Sequence, residues 1–265
     1  MQPALANVVR KIESIAGGAG GSFSVYAINL GTGERIALNE KKPYPSASLI
    51  KVPILVELLR QSCRGEIDLE SRVRVSGMYQ ENETGILVHL TGCPEFTVRD
   101  LALLMIVLSD NAAANILIDL VGMEAVNATM RSLGLSSTIL ARKLCDWTAQ
   151  KAGRENLCTA EDMVNLLAKL ARREALPPPA CDEAVKILLS QQQKDKLALM
   201  LPEDVKVASK DGELSNVDHT AGIVWTDSLS YAICILSKDT RDRASRKLAI
   251  STISKAIFDH WSRSA

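Results

Sequence analysis

Two polar side chains stand three residues apart at the head of an otherwise apolar stretch. In PSASLIKVPILVELL, residues 45–59, Leu49, Ile50, Val52, Ile54, Leu55, Val56, Leu58 and Leu59 leave almost no polar face, yet Ser48 and Lys51 fall on one side of the first turn. A lysine among so many aliphatic neighbours is costly unless its ammonium is paired or its pKa is lowered. A serine hydroxyl beside such an amine has a base to take its proton, which is what a serine nucleophile needs. Taken alone, S-x-x-K arises about once by chance in a chain of this composition, and it also suits a helix-start serine with a snorkelling lysine.

Two further stretches carry polar clusters between apolar runs. VLSDNAAAN sets Ser109, Asp110 and Asn111 between two apolar helices, where each residue type is also a good N-cap. VASKDGELS sets Lys210, Asp211 and Gly212 at the end of a short strand, where Asp-Gly equally suits a charged hairpin turn.

In this order and at these intervals, the three clusters resemble the S-x-x-K, S-D-N and K-T-G set of class A β-lactamases and penicillin-binding proteins. Local context agrees. PYPSASLIKVPIL is similar to the family's nucleophile helix, ETGILVHL (83–90) to its cleft-edge segment, and VRDLALLMIVLSDNAAANILI to its central helical hairpin. The likeness runs from about residue 5 to residue 262. It implies acyl transfer through an ester on Ser48, without metal or organic cofactor, on a small-molecule β-lactam or another amide or ester.

Under this reading Lys51 is the base that activates Ser48, and the Ser48 backbone N–H at the helix start is one oxyanion donor. The resemblance implies that the Glu213 N–H is the second donor, that Ser109 relays a proton to the leaving nitrogen, and that Asn111 binds the substrate's amide side chain. Lys210 would supply positive charge near Ser109, and Gly212 would let substrate lie against the strand edge.

The chain also departs from the family. The E-x-x-L-N glutamate that activates the hydrolytic water is absent from ARKLCDWTAQKAGRENLCTAEDM. Asp146 falls near the expected carboxylate, with Glu155 as the second candidate, and Asp146 equally suits a loop-stapling ion pair with a nearby Arg or Lys. Asp211 stands where threonine is usual. Pointing into the cleft it would repel a substrate carboxylate; turned outward by strand alternation it would not. His219 takes the place of an arginine on the next strand and reads as a ligand-binding or a structural histidine. Trp147 suits either a cleft wall or packing.

The elements that would position these residues are legible as patterns. An amphipathic N-terminal helix carries Leu5, Val8, Val9, Ile12 and Ile15; GGAGGS then reads as a turn, and FSVYAINL as a strand buried on both sides. Gly31-Thr32-Gly33 turns into a partner strand, ERIALNE. Helical spacing follows over 48–62, 97–108, 111–121, 123–133, 159–174 and 181–191, with LPPPA at 176–180 breaking the series. Strands return at 205–209, 217–225 and 230–236, and a last helix covers 243–262. The expected architecture is α+β: an antiparallel sheet flanked by the terminal helices, from 1–45 and 202–265, with an all-helical domain, 46–201, inserted and the active site in the cleft between them.

Composition narrows the partners. Hydrophobic residues are 47% and charged residues 23% of 265, and 31 Lys+Arg balance 31 Asp+Glu, so no net field favours nucleic acid or an anionic membrane. Cysteines 63, 93, 145, 158, 181 and 234 are scattered without a CxxC pair, and the first helix lacks a secretion signal's continuous apolar run. These features predict reduced thiols and a cytoplasmic protein, monomeric or a weak homo-oligomer; a secreted chain trimmed of its signal would read the same. A non-catalytic binder of the same fold is the reading from another class, but a binder has no need of a buried serine–lysine pair.

Overall fold

The computed structural model describes residues 3–75 and 85–263, so Glu83 and Thr84 of the cleft-edge segment lie outside the described residues. In chain order the elements are α1 (Pro3–Ala19), β1 (Ser22–Asn29), β2 (Arg35–Leu38), β3 (Tyr44–Pro45), a 3₁₀ turn (Ala47–Ile50), α2 (Lys51–Cys63), β4 (Arg72–Arg74), a second 3₁₀ turn (Leu87–His89), β5 (Glu95–Thr97), α3 (Val98–Val107), α4 (Asn111–Val121), α5 (Met123–Ser132), α6 (Trp147–Lys151), β6 (Leu157–Cys158), α7 (Ala160–Ala171), α8 (Pro178–Leu189), β7 (Lys206–Leu214), β8 (Val217–Trp225), β9 (Ser230–Lys238) and α9 (Arg243–Ser262). Five strands form one antiparallel sheet in the order β2-β1-β9-β8-β7, so strands from both ends of the chain meet at the β1–β9 pair and β7 is an edge. The fold is α+β, as expected. Among the described residues no helix is long and apolar enough to cross a membrane.

Period-two alternation explains why the sheet is covered on both faces. Phe23, Val25 and Ala27 of β1, with Ile233 and Ile235 of β9, pack against Val8 and Ile12 of α1 and Ile250, Ile253 and Ile257 of α9. Tyr26, Ile28, Ala232, Cys234 and Leu236 face the other way, into the larger core built with α2, α4, α7 and α8. The buried central strands therefore show no polar face, which is the pattern read in FSVYAINL.

Three boundaries differ from expectation. Helix α1 runs through Gly17 and Gly18, which are exposed, because Ala19 is anchored in the core; the turn falls at Gly20 and Gly21, both in the left-handed region. Helix α8 begins at Pro178, inside the proline run, because a residue without an N–H costs nothing in a first turn. Strand β7 runs past 209 to Leu214, so Lys210-Asp211-Gly212 is strand, and the hairpin turn is Ser215-Asn216. Pairing of Asp211 with Thr220 and Gly212 with His219 outweighs the local turn preference of Asp-Gly.

Helix α2 carries Lys51 as its first residue and buries ten of its thirteen residues. Glu57, fully buried further along, is with Lys51 and Gln61 one of its three buried polar residues. Its carboxylate takes two 2.6 Å bonds from Arg60 and one each, also 2.6 Å, from Gln61 and Thr129 of α5. Burial raises its pKa, but these bonds outweigh burial and hold it below the usual glutamate range. Glu57 thus fixes the rotation of α2 against α5. Glu57→Ala strips Thr129 and Gln61 of their acceptor and should lower stability by about 2–4 kcal/mol, read as a shifted urea midpoint at unchanged slope.

Candidate active site

Ser48 sits in the 3₁₀ turn that leads into α2, partly exposed where most of its neighbours are buried. The turn is held from outside. Ser46 N–H donates to Asn156 O at 2.8 Å, and β3 pairs with β6 through Tyr44–Cys158 and Pro45–Leu157. Ala47 has φ of 46°, a left-handed conformation costly for a residue with a Cβ. Gly212 on β7 presses against the same turn: a Cβ there would lie 3.1 Å from Ser48 N and 3.2 Å from Ser46 O. Here glycine is favoured by close approach, since a Cβ would force its neighbours to give by a few tenths of an ångström.

Lys51 is fully buried, and its Nζ donates to Ser109 O at 2.6 Å, Ser109 Oγ at 3.1 Å and Asn111 Oδ1 at 2.7 Å. Lys210, also fully buried, reaches the same Ser109 Oγ at 3.1 Å and the Asp211 carbonyl at 2.7 Å. One hydroxyl therefore lies between two ammonium groups. Burial pulls the Lys210 pKa down to about 8, with Asp211 opposing and Lys196 adding to the fall. A group poised there can hold or yield a proton near neutral pH.

Asp110 of the central cluster is structural. Its carboxylate caps α4 through Ala113 N–H at 2.9 Å and accepts from Ile86 and Leu87 N–H at 2.7 and 2.9 Å, tying the cleft-edge segment to α4. Gly85 makes this possible, since a Cβ there would lie 2.2 Å from Asp110 Oδ2. Ser109 itself has φ of 55°.

A cavity of about 420 Å³ opens beside Ser48, lined by Ala47, Asn111, Glu213 and Asn216 and by the 142–156 loop. Among the loop residues lining it is Cys145, whose Sγ lies 3.2 Å from Asn111 Nδ2 and whose φ is 62°. Asp146 does not line this cavity. Its side chain accepts from Ala149 N–H at 2.9 Å as the N-cap of α6, so the carboxylate expected to act on water is used by a helix end. Glu155 lines the cavity but is held by Arg142 at 2.7 Å and by Gln150 at 2.7 Å. Cys145 escapes sequence reasoning because no pattern marks it, and the helix that Asp146 caps is not among the expected elements either.

Asp211 is corrected as well. It is 4% exposed, does not line the cavity, and has its Oδ2 3.8 Å from the buried Lys196 Nζ, on the strand face opposite Lys210. Burial pushes its carboxyl up, against the pull of Lys196. Alternation along β7 thus removes it from contact with substrate. The Glu213 side chain binds Lys196 at 2.7 Å and also pairs with Arg243 and Lys247, so although burial raises its pKa these cations hold it below the usual range.

His219 is fully buried beneath the Ser48 turn, with Nε2 2.9 Å from Pro45 O and Nδ1 3.1 Å from Ser237 N. The neutral ring protonated on Nε2 satisfies both. Burial lowers its pKa to about 4, against the opposing pull of the Pro45 and Asp218 carbonyls, which can accept from the charged ring. His219 is the structural histidine of the two readings.

A fold of this form around a serine–lysine pair, with a second lysine shared through Ser109, defines the penicillin-recognising class of serine enzymes. The chain belongs to the beta-lactamase enzyme family, which it matches over residues 7–261. It is 26% identical over 248 residues to a beta-lactamase of Streptomyces albus G, covering 89% of this chain and 79% of that one. A solved beta-lactamase from Sphaerobacter thermophilus DSM 20745 superposes with a TM-score of 0.86 at 28% identity, covering 96% and 95% of the two chains. One from Chitinophaga pinensis DSM 2588 gives 0.90 at 25%, covering 96% and 98%.

Two outcomes are expected. Gly212→Ala should slow β-lactam hydrolysis at least about tenfold, because the added methyl crowds the backbone of the Ser48 turn. For His219, an unfolded histidine takes its proton near pH 6.5 and the folded one only near 4, so its contribution is complete above pH 6.5 and is lost as pH falls toward 4. The loss should reach about 3 kcal/mol, measured by urea unfolding between pH 7 and 4, and His219→Gln should flatten that slope.

Proposed function

We propose that the protein is a serine hydrolase of β-lactams that works through an acyl-enzyme on Ser48 and releases its product slowly. The observation that carries this reading is the Ser109 hydroxyl, 3.1 Å from both the Lys51 and the Lys210 ammonium nitrogens, with Lys51 three residues after Ser48 in the chain. In the neutral form Lys51 takes the Ser48 proton as Oγ bonds to the lactam carbonyl carbon. The oxyanion is received by backbone N–H groups of Ser48 and Glu213. Collapse breaks the C–N bond, and the nitrogen takes a proton through Ser109 from the lysine side, leaving the ester. Asn111 holds the acyl amide, and Lys210 holds positive charge at the leaving-group end. In this reading 1–45 with 202–265 is the α/β part, 46–201 the helical insertion, and Ser48 stands at their seam.

Release needs a base for water. The two carboxylates that line the cavity, Glu155 and Glu213, are bound to Arg142 and to Lys196, and Asp146 caps a helix. The ester should therefore form faster than it breaks. Intact-mass measurement after mixing with benzylpenicillin should find an adduct of the whole penicillin that outlasts one turnover, with burst kinetics. Ser48→Ala should show none, and Lys51→Ala should form it at least about a hundredfold more slowly. An adduct on the Ser48→Ala protein, or steady turnover without any adduct, would end this reading. Acylation should also decline above pH 8 as Lys210 loses its charge.

A further inference from the structure

We infer that Trp147 is the specificity-determining platform of the cleft and that it selects substrates whose acyl group carries an aromatic ring. The inference rests on the Ser48 acyl-enzyme proposed above and adds the chemical class of the acyl group. If Ser109 and Lys210 serve the leaving nitrogen, the acyl group must project the other way, past Asn111 toward the 142–156 loop. There the cavity has an apolar wall of Leu144, Leu214 and Trp147.

Trp147 does not behave as a packing residue. It is 42% exposed, while Trp261 of α9 is 2% exposed. Its indole nevertheless has one cationic neighbour. The Arg142 guanidinium, 6% exposed, lies 5.8 Å from the ring centroid, and Arg142 is itself fixed by Glu155 at 2.7 Å and by Lys143 O at 3.2 Å. The backbone beneath Trp147 is the first turn of α6, capped by Asp146. An indole face beside the Ser48 cavity, carried on a capped helical turn, can stack an aryl ring. The Arg142–Glu155 pair leaves no net charge at this end, so a neutral ring fits it better than an ionised side chain.

The test uses two penicillins that differ only in the acyl group, phenylacetyl and acetyl. Wild-type acylation rate constants should favour the phenylacetyl compound by about five- to tenfold. In Trp147→Ala that ratio should fall to about two or less, and in Trp147→Phe, which keeps an aromatic face, most of it should return. A wild-type ratio near one, or a ratio unchanged in the alanine variant, would overturn the inference. If neither compound acylates Ser48, N-phenylacetylglycinamide and N-acetylglycinamide are titrated as non-covalent ligands by NMR. Tighter binding of the phenylacetyl member, lost in Trp147→Ala, would keep the subsite while the acyl-enzyme reading fell; equal binding would remove the subsite.

Discussion

Two ammonium groups buried on either side of one hydroxyl set the terms for everything around them. Lys51 and Lys210 have no exposed surface, and each reaches Ser109 Oγ at 3.1 Å. Removing a cation from water costs several kcal/mol unless oxygen acceptors replace its hydration shell. The Ser109 carbonyl and Asn111 Oδ1 do so for Lys51, and the Asp211 carbonyl does so for Lys210. These acceptors come from two helix ends and an edge strand. The cations are therefore satisfied only when α2, the α3–α4 junction and β7 are all in place, and folding and assembly of the site become one event.

Holding those acceptors on target strains the backbone. Among the described residues other than glycine, the left-handed conformations are at Asn39, Ala47, Cys93, Ser109, Cys145, Arg173 and Asp239, and three of these seven surround the cleft. Each costs on the order of 1–3 kcal/mol, and each persists because its flanks are overdetermined. Asp110 ties the residue after Ser109 to the 86–87 backbone, and Asn115 bonds both N–H and C=O of Leu144, the residue before Cys145. Ala47 is held between the Ser46–Asn156 bond and Gly212. Strain gathers where side chains must converge from separate elements.

This explains which parts were legible in the residues alone. Ser48 with Lys51, and Ser109 with Asn111, are separated by fixed helical or junction spacing, so their types and intervals carry their geometry. The alternation in β1 and the apolar periodicity of α2 to α8 likewise encode which face is buried. The 142–156 loop has no period to read. Cys145 and Trp147 line the cavity and Asp146 between them does not, with Cys145 in a left-handed conformation that no composition signals. Lys210-Asp211-Gly212 was misread as a strand end because Asp-Gly favours turns locally, whereas nine register pairs with β8 hold it extended. The direction of Asp211 then follows from strand alternation, once the strand is known to continue.

The same alternation gives the far face of β7 its own work. Asp211 and Glu213 point toward Lys196, which also lies 3.3 Å from Asp218 of β8, and Asp218 binds Arg246 of α9 at 2.6 Å. A buried ion network of this kind adds little net stability over apolar packing, but it tolerates only one register of its partners. Sliding β7 by one residue would put Asp211 where Lys210 is and turn Glu213 away from Lys196. It would also carry Gly212 away from Ser46 and Ser48, where a side chain would be crowded. The charges on one face thus fix the position of the catalytic edge on the other, which makes the last helix of the chain part of what holds residue 48 in place.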